Sequence, residues 1–218
     1  NDPILSFIKQ RKSVSFLDIG CGSGVNAHFW GAKSSLQTCN QFANVAGVEV
    51  SPEARAVLTN AGIKCWADIE SIPGNQKFDL IRMNWSLEHV HSPSAYLNFC
   101  AEHVTEGGQV VIAVPNYEGL LYRLAPECVE LPVHLYHFTP SDIYRYSKKA
   151  NLKVLDIKTF SYPEMFYTSA EVGLLSSSFK SRPSILGARG IIEFLKSVDD
   201  FGWGNDMLVI LERSPVEV

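Results

Sequence analysis

Apolar residues in this chain come in short runs, separated by stretches whose apolar positions follow a helical period. Val14 to Ile19 forms the first run and reads as a strand. The stretch from about Val25 to Leu36 reads as a helix, and Asn44 to Val50 as a second strand. Ser51-Pro52-Glu53 then opens a helix, with a capping hydroxyl and a proline in the first turn. Ile63 to Trp66 and Phe78 to Met83 are the third and fourth strands, followed by a helix from about Pro93 to Val104. Glu106-Gly107-Gly108 turns the chain into Gln109 to Val114. The unbroken apolar run at Val110–Val114 marks a strand covered on both faces. Strands alternating with helices predict βαβ units and a parallel sheet between two helical layers.

The second half has a different texture. Residues 116–139 show no clear period and read as a long connection. Thr139 caps a helix expected over Pro140 to Ala150, and Lys153 to Phe160 is a sixth strand. Residues 163–204 form a long insertion, with helices expected near Thr168 to Ser176 and Ile185 to Val198. Asp206 to Glu212 is the last strand. Insertions of this length in a compact domain are often lids or binding loops. The expectation is therefore one domain over 1–218, with a substrate lid built from about 116–139 and 163–204.

A length of 218 residues suits one large α/β domain. The hydrophobic fraction of 46% and charged fraction of 19% are ordinary for a soluble protein. With a net charge of −4 and no long basic run, the footprint of a nucleic-acid binder is missing. No apolar stretch approaches the roughly 20 residues of a membrane span, and no signal peptide is visible, so a cytoplasmic location is expected. The first residue is Asn1, which leaves room for a trimmed or lost N-terminal segment. Cys21, Cys39, Cys65, Cys100 and Cys128 include no C-x-x-C pair and no zinc spacing, and read as reduced thiols. Cys21 is open to modification by its place in a turn, though nothing in the sequence marks it as a nucleophile.

That turn is the most telling local feature. Leu17-Asp18-Ile19-Gly20-Cys21-Gly22-Ser23-Gly24 carries a strand into a G-x-G-x-G turn. Glycine has no Cβ and tolerates positive φ, so backbone can approach a ligand closely here. The spacing is not the G-x-G-x-x-G that cradles a dinucleotide pyrophosphate, which argues against a nicotinamide-dependent oxidoreductase. One βαβ unit later, Glu49 and Val50 end the second strand, where a carboxylate can accept from both hydroxyls of a ribose. Asp68 and Ile69 follow the third strand, as an adenine-amino acceptor with an apolar neighbour or as simple turn residues. Asn84 and Trp85 end the fourth strand, and Glu88 and His89 follow.

Taken in order, the G-x-G-x-G turn, Glu49, the Phe78-Asp79-Leu80-Ile81…Leu87-Glu88-His89-Val90 segment, Glu106-Gly107-Gly108 and His137-Phe138-Thr139-Pro140 resemble the class I S-adenosylmethionine (SAM) dependent methyltransferases. The resemblance is to the type that includes the ubiquinone-biosynthesis O-methyltransferases, and it spans about residues 16–157. It implies a Rossmann-like three-layer sandwich with a seven-stranded, mostly parallel sheet of order 3-2-1-4-5-7-6 and an antiparallel last strand. It implies SAM as cofactor and S-adenosylhomocysteine (SAH) as product. The cofactor residues it points to are Asp18, Gly20, Cys21, Gly22, Gly24, Glu49, Val50, Asp68, Ile69, Asn84 and Trp85. Insertion 163–204 carries no signature of that family.

Methyl transfer from SAM is a direct displacement, in which alignment of the reactants supplies much of the rate. A base is required only where the acceptor must lose a proton near pH 7. His137, His134 and His89 are the base candidates, each with a packing or loop-orienting role as the alternative. Without a carboxylate cluster beside His134 and His137, no metal is expected. Tyr117, Tyr122, Tyr136, Tyr162, Phe166 and Tyr167 line a planar pocket or bury the insertions. The expected acceptor is a small molecule, methylated on a hydroxyl. The competing function is a catalytically silent SAM/SAH-binding scaffold or sensor. The oligomeric state, monomer or homodimer, is open.

Overall fold

The computed structural model describes residues 2–25, 31–124, 126, 132–161 and 183–215. At its centre β1 (Ser15–Ile19) pairs in parallel with β2 (Asn44–Val48) and with β4 (Phe78–Asn84). Outward from these, β3 (Lys64–Trp66) joins β2 and β5 (Val104–Pro115) joins β4, again in parallel. The strand β7 (Asp206–Arg213) runs antiparallel between β5 and β6 (Leu152–Phe160). The seven-stranded order is 3-2-1-4-5-7-6, as the resemblance implied.

Successive residues of a strand face opposite sides, so the sheet divides the core in two. Leu17, Ile81, Met83, Val110 and Ile112 lie in one cluster with Leu97 and Cys100 of α4 (Pro93–His103). Phe16, Leu80 and Val111 lie in the other. There they join Ile4, Phe7 and Ile8 of α1 (Pro3–Lys9), with Leu36 of α2 (Leu36–Cys39) and Leu58 of α3 (Pro52–Asn60). All five residues of Val110–Val114 are buried, as a strand covered on both faces requires.

Several boundaries differ from expectation. Helix α1 was not anticipated, although Asp2-Pro3 and the spacing of Ile4, Phe7 and Ile8 encode it. Asp2 accepts from the Ile4 and Leu5 amides, and Pro3 needs no partner in the first turn. The single helix expected from Val25 to Leu36 is not what the described part shows. A 3-10 turn covers Gly31–Ser34, and α2 begins afresh at Leu36 with Ser35 as its cap. The reason is tertiary: the Ser34 carbonyl accepts from Arg82 Nη1 at 2.7 Å, and its hydroxyl donates to Asp2.

β5 starts five residues earlier than Gln109 and takes in Glu106-Gly107-Gly108 as an irregularity in its pairing with β4. Gly107 has φ +71°, and a Cβ on Gly108 would stand 2.8 Å from the Asp79 carbonyl oxygen. The Asp79 side chain accepts from the Ser15 amide and the Thr105 hydroxyl, both at 2.9 Å. The carboxylate of Phe78-Asp79-Leu80-Ile81 thus ties the starts of β1 and β5 together.

Helix α5 (Leu120–Leu124) interrupts the 116–139 connection. Helix α6 (Pro140–Lys149) has the expected Thr139 cap, closed into a capping box by Asp142. Helix α7 (Pro183–Asp200) contains the expected helix at Ile185 to Val198, whereas the one near Thr168 to Ser176 lies outside the described residues, as does Cys128. No described helix is long and apolar enough to cross a membrane.

Candidate cofactor and acceptor site

The glycine turn leaves β1 at the carboxyl end of the sheet, between β2 and β4. In open α/β sheets this is where ligands bind. Gly20 has φ +76°, and a Cβ there would overlap Ser86 Cβ at 2.5 Å. Only glycine lets the turn lie this close to the exit of β4, where the Ser86 hydroxyl donates to the Ile19 carbonyl. Gly22, at φ +54°, has nothing within 4 Å of where a Cβ would be, so its open face is available to a ligand. The Gly22 amide donates to Glu49 Oε2 at 2.8 Å, and the Ser51 amide to Glu49 Oε1 at 2.9 Å. Glu49 therefore braces the turn against the end of β2. Each carboxylate oxygen keeps a further lone pair for a donor from a bound molecule. Beside it Val50 is 80% exposed, an apolar side chain offered to whatever occupies the pocket.

Two cavities meet at this turn. One, of about 180 Å³, is lined by Asp18, Gly20, Cys21, Gly22, Ser23, Gly24, Val25, Arg82 and Asn84. The larger, of about 610 Å³, is lined among others by Gly20, Glu49, Val50, Glu70, Trp85, Ser86, His89, His91 and Tyr96. A volume of this order holds a ligand of drug size. Asn84 Oδ1 is buried and has no hydrogen-bond partner among the described residues. Trp85 has φ +52°, a conformation that costs a non-glycine residue of order 1–3 kcal/mol. Its amide is held by the Ala113 carbonyl at 2.8 Å.

Asp18 lines the smaller cavity and also pairs with a buried arginine. Its two oxygens accept from Arg82 Nε at 2.8 Å and Arg82 Nη2 at 2.5 Å. Arg82 is only 1% exposed, so the pair is a buried strut under the turn. Burial alone would lower the guanidinium pKa, but the charge and hydrogen bonds of Asp18 raise it overall. Nothing in the sequence reading singled out Arg82, because an arginine inside an apolar strand announces no partner until the fold brings one. Asp68 and Ile69 do not line the two cavities described. Asp68 Oδ1 accepts from the Ser71 amide and hydroxyl as a turn residue, and Ile69 is buried in the core. Glu70, His91 and Tyr96 line the larger cavity instead. Their signal was their place just beyond β3 and just beyond the Leu87–Val90 segment.

The structure separates the three histidines. His89 and His134 are edge to face with centroids 4.8 Å apart, whereas His137 packs 4.2 Å from Tyr117, which stacks on Tyr122. His137 lines neither cavity described. His89 Nδ1 lies 2.9 Å from the Val133 carbonyl oxygen, which can only accept, so the proton of the neutral ring sits on Nδ1 and Nε2 is the basic atom. That Nε2 is 3.8 Å from Glu88 Oε1. The Glu88 carbonyl accepts from the Leu135 and Tyr136 amides, which pins the His134 loop to the end of β4. Glu88, His89 and His134 place ligand atoms within 4.8 Å of one another, a donor composition that suits a divalent cation. The sequence expectation of no metal assumed that no carboxylate stood near His134, and the fold supplies Glu88.

Residues 2–157 match the family described as "Methyltransferase domain". The chain belongs to the SAM-dependent methyltransferases. It is 30% identical over 166 residues to a ubiquinone biosynthesis O-methyltransferase of Dechloromonas aromatica, covering 67% of each chain. It is 25% identical over 194 residues to the enzyme of that name from Klebsiella pneumoniae, covering 83% of this chain and 76% of the relative. Among solved structures, a SAM-dependent methyltransferase from Mesorhizobium loti superposes with a TM-score of 0.60 at 16% identity, covering 97% and 96% of the two chains. A phosphoethanolamine N-methyltransferase 2 from Haemonchus contortus, solved with SAH, gives 0.59 at 18% identity over 98% of this chain and 52% of its own.

SAM is therefore the cofactor, and the site residues fit it. The open face of Gly22, the remaining lone pairs of Glu49, exposed Val50 and the unpartnered Asn84 Oδ1 all converge on the two cavities.

Proposed function

We propose that this methyltransferase transfers the methyl group of SAM to a hydroxyl of a small, largely planar molecule. SAM brings a methyl carbon that is already electrophilic. The chain's own task is to align the acceptor and to take up its proton. The observation that carries this reading is the state of His89: its Nδ1 proton is committed to the Val133 carbonyl, which leaves Nε2 as the basic atom, and the residue lines the larger cavity with Trp85 and Ser86. Glu88 stands where it would meet the charge of a protonated His89, and His134 packs against the ring. A positioned base of this kind contributes typically 10²–10⁴-fold. The relatives named for ubiquinone biosynthesis support a hydroxyl acceptor.

Glu49 and Val50 hold the adenosyl part, with Gly20, Cys21, Gly22, Gly24, Asn84 and Trp85 along the remainder; Asp18 acts from beneath through Arg82. The described parts of insertions 116–139 and 163–204 belong to one domain with the sheet, while residues 127–131 and 163–182 lie outside the described residues. The enzyme works in the cytoplasm on a small molecule and not on nucleic acid.

The test has two stages. Calorimetric titration with SAM and SAH, repeated on Glu49→Ala, reads the cofactor site: micromolar binding that weakens in the variant is expected. Methyl transfer is then measured over a panel of phenols, catechols and amines with wild type, His89→Ala and His134→Ala. Turnover of hydroxyl acceptors that collapses in the histidine variants is expected, while turnover restricted to amines would sink the O-methylation reading. Tight SAH binding with no turnover on any acceptor would favour the silent scaffold.

A further inference from the structure

Gly47, next to the last residue of β2, has a thiol on either side of it. A Cβ there would meet Cys21 Sγ at 2.5 Å and Cys65 Sγ at 3.3 Å. Cys21 sits in the glycine turn after β1, and Cys65 is the register partner of Gly47 on β3. The two side chains therefore reach toward each other across an intervening strand, in the space that the missing side chain of Gly47 leaves. Cys21 Sγ donates to the Val48 carbonyl at 3.6 Å and Cys65 Sγ to the Trp66 carbonyl at 3.7 Å. The neighbouring Cys21 lowers the Cys65 pKa, and the neighbouring Cys65 acts with burial to push the Cys21 thiol up. Cys65 is half-buried at the sheet edge and Cys21 is buried, so an oxidant reaches Cys65 first. Cys39 and Cys100, the other described thiols, are buried, and neither meets another sulfur in this way; burial raises their pKa to about 11 and about 12.

We propose that Cys21 and Cys65 are a redox modification site, in which a hydroperoxide closes a disulfide over Gly47 that distorts the cofactor turn and weakens SAM and SAH binding. The Cys65 thiolate attacks the peroxide; its O–O bond breaks, Cys65 becomes the sulfenic acid, and the remaining oxygen leaves as alcohol or water after taking a proton. The Cys21 sulfur then displaces the hydroxyl from Cys65; an S–S bond forms, and the Cys21 proton leaves with that hydroxyl as water. Bringing the sulfurs to a bond length of about 2.05 Å draws Cys21 toward β3. Cys21 lies between Gly20 and Gly22, at φ +76° and +54°, and its shift strains the bonds that hold this turn to Val48 and Glu49. The displacement acts on Gly22, whose amide holds Glu49. The effect on binding depends on the cofactor residues assigned above; formation of the bond does not.

Fully reduced protein is exposed to equimolar hydrogen peroxide, free thiols are alkylated, and peptides are mapped by mass spectrometry. SAH titrations are run before oxidation, after it and after dithiothreitol. The expected result is a linked Cys21–Cys65 peptide pair two hydrogens lighter, with SAH binding weakened tenfold or more and restored by dithiothreitol. Cys65→Ser should bind SAH like reduced wild type and keep that affinity through peroxide; Cys65→Ala serves if the serine variant misfolds. Oxidation of Cys65 to sulfinic acid without the link overturns the proposal, as does a link that leaves SAH affinity unchanged. Reduced protein that fails to bind SAH, yet forms the link, overturns the binding effect and the cofactor assignment while the oxidation site stands.

Discussion

The two halves of the site are built in contrasting ways. The cofactor half is a short, continuous turn whose backbone groups are already held: Gly20 to the Val48 carbonyl, Gly22 to Glu49, and Ser86 to the Ile19 carbonyl. Most of its parts lie within one βαβ unit. The acceptor half is gathered from distant places. His89 meets His134, 45 residues on, only because the Glu88 carbonyl and the Tyr136 hydroxyl hold two loops together; Tyr136 donates to the His91 carbonyl at 3.0 Å. A preorganised cofactor cradle beside a loop-built acceptor rim separates binding from selectivity. Changes to the rim should alter what is methylated and how fast, while leaving SAH affinity alone.

The largest effect is expected beneath the cradle. Arg82→Met leaves Asp18 as a buried charge without its partner, which costs roughly 3–5 kcal/mol. Thermal or denaturant unfolding should show this, and Asp18→Asn added to Arg82→Met should recover part of it. Full recovery is not expected, because the Ser34 carbonyl also loses its donor. A loss in Arg82→Met no larger than that of a surface substitution would mean that the strut does not hold the turn.

On the rim, His89→Ala should lower kcat on a hydroxyl acceptor by about 10²–10⁴-fold, the ordinary worth of a general base. SAH affinity should stay put, which is the cleanest sign that the two halves are separable. Metal removal sharpens the same point: with His89 as base, overnight chelation leaves the rate unchanged. A rate that vanishes on chelation and returns with a divalent cation would instead make Glu88, His89 and His134 a ligand set.

Glu49→Ala is expected to weaken SAH by roughly 10–100-fold, on the scale of about 1.5–3 kcal/mol for hydrogen bonds to a charged group. Because Glu49 also anchors Gly22 and Ser51, the comparison with Glu49→Gln separates lost charge from lost bracing. The smallest effect belongs outside the site. Thr139→Ala opens the α6 capping box and should cost about 0.5–2 kcal/mol of stability, with no change in kcat.

The division between legible and hidden features follows the same line. The G-x-G-x-G turn, Glu49 and the strand starts other than that of β5 were visible because spacing within one unit constrains geometry directly. Asp68 follows β3 as expected, and nothing in the sequence showed that its Oδ1 accepts from both the amide and the hydroxyl of Ser71. His137 resembled its neighbour His134 in sequence, but the loop turns it onto Tyr117. Asp79 and Arg82 carried no sign of their partners, Ser15 and Thr105 for one and Asp18 and Ser34 for the other.

What this chain's sequence determined by itself was the alternation of strands and helices, the strand order implied by its motifs, and the turn with its acidic companion at the next strand end. The alternation and the turn depend on periodicity and on glycine's backbone freedom, both local properties, whereas the strand order came only through the resemblance of the motifs to the family. Only the tertiary structure decided that a buried Arg82 underpins the turn, that Glu88 joins two histidines from separate loops, and that two thiols meet over Gly47. Each of these depends on which side chains the packed sheet brings within bonding distance, and chain separation says nothing of that until the strands are in register.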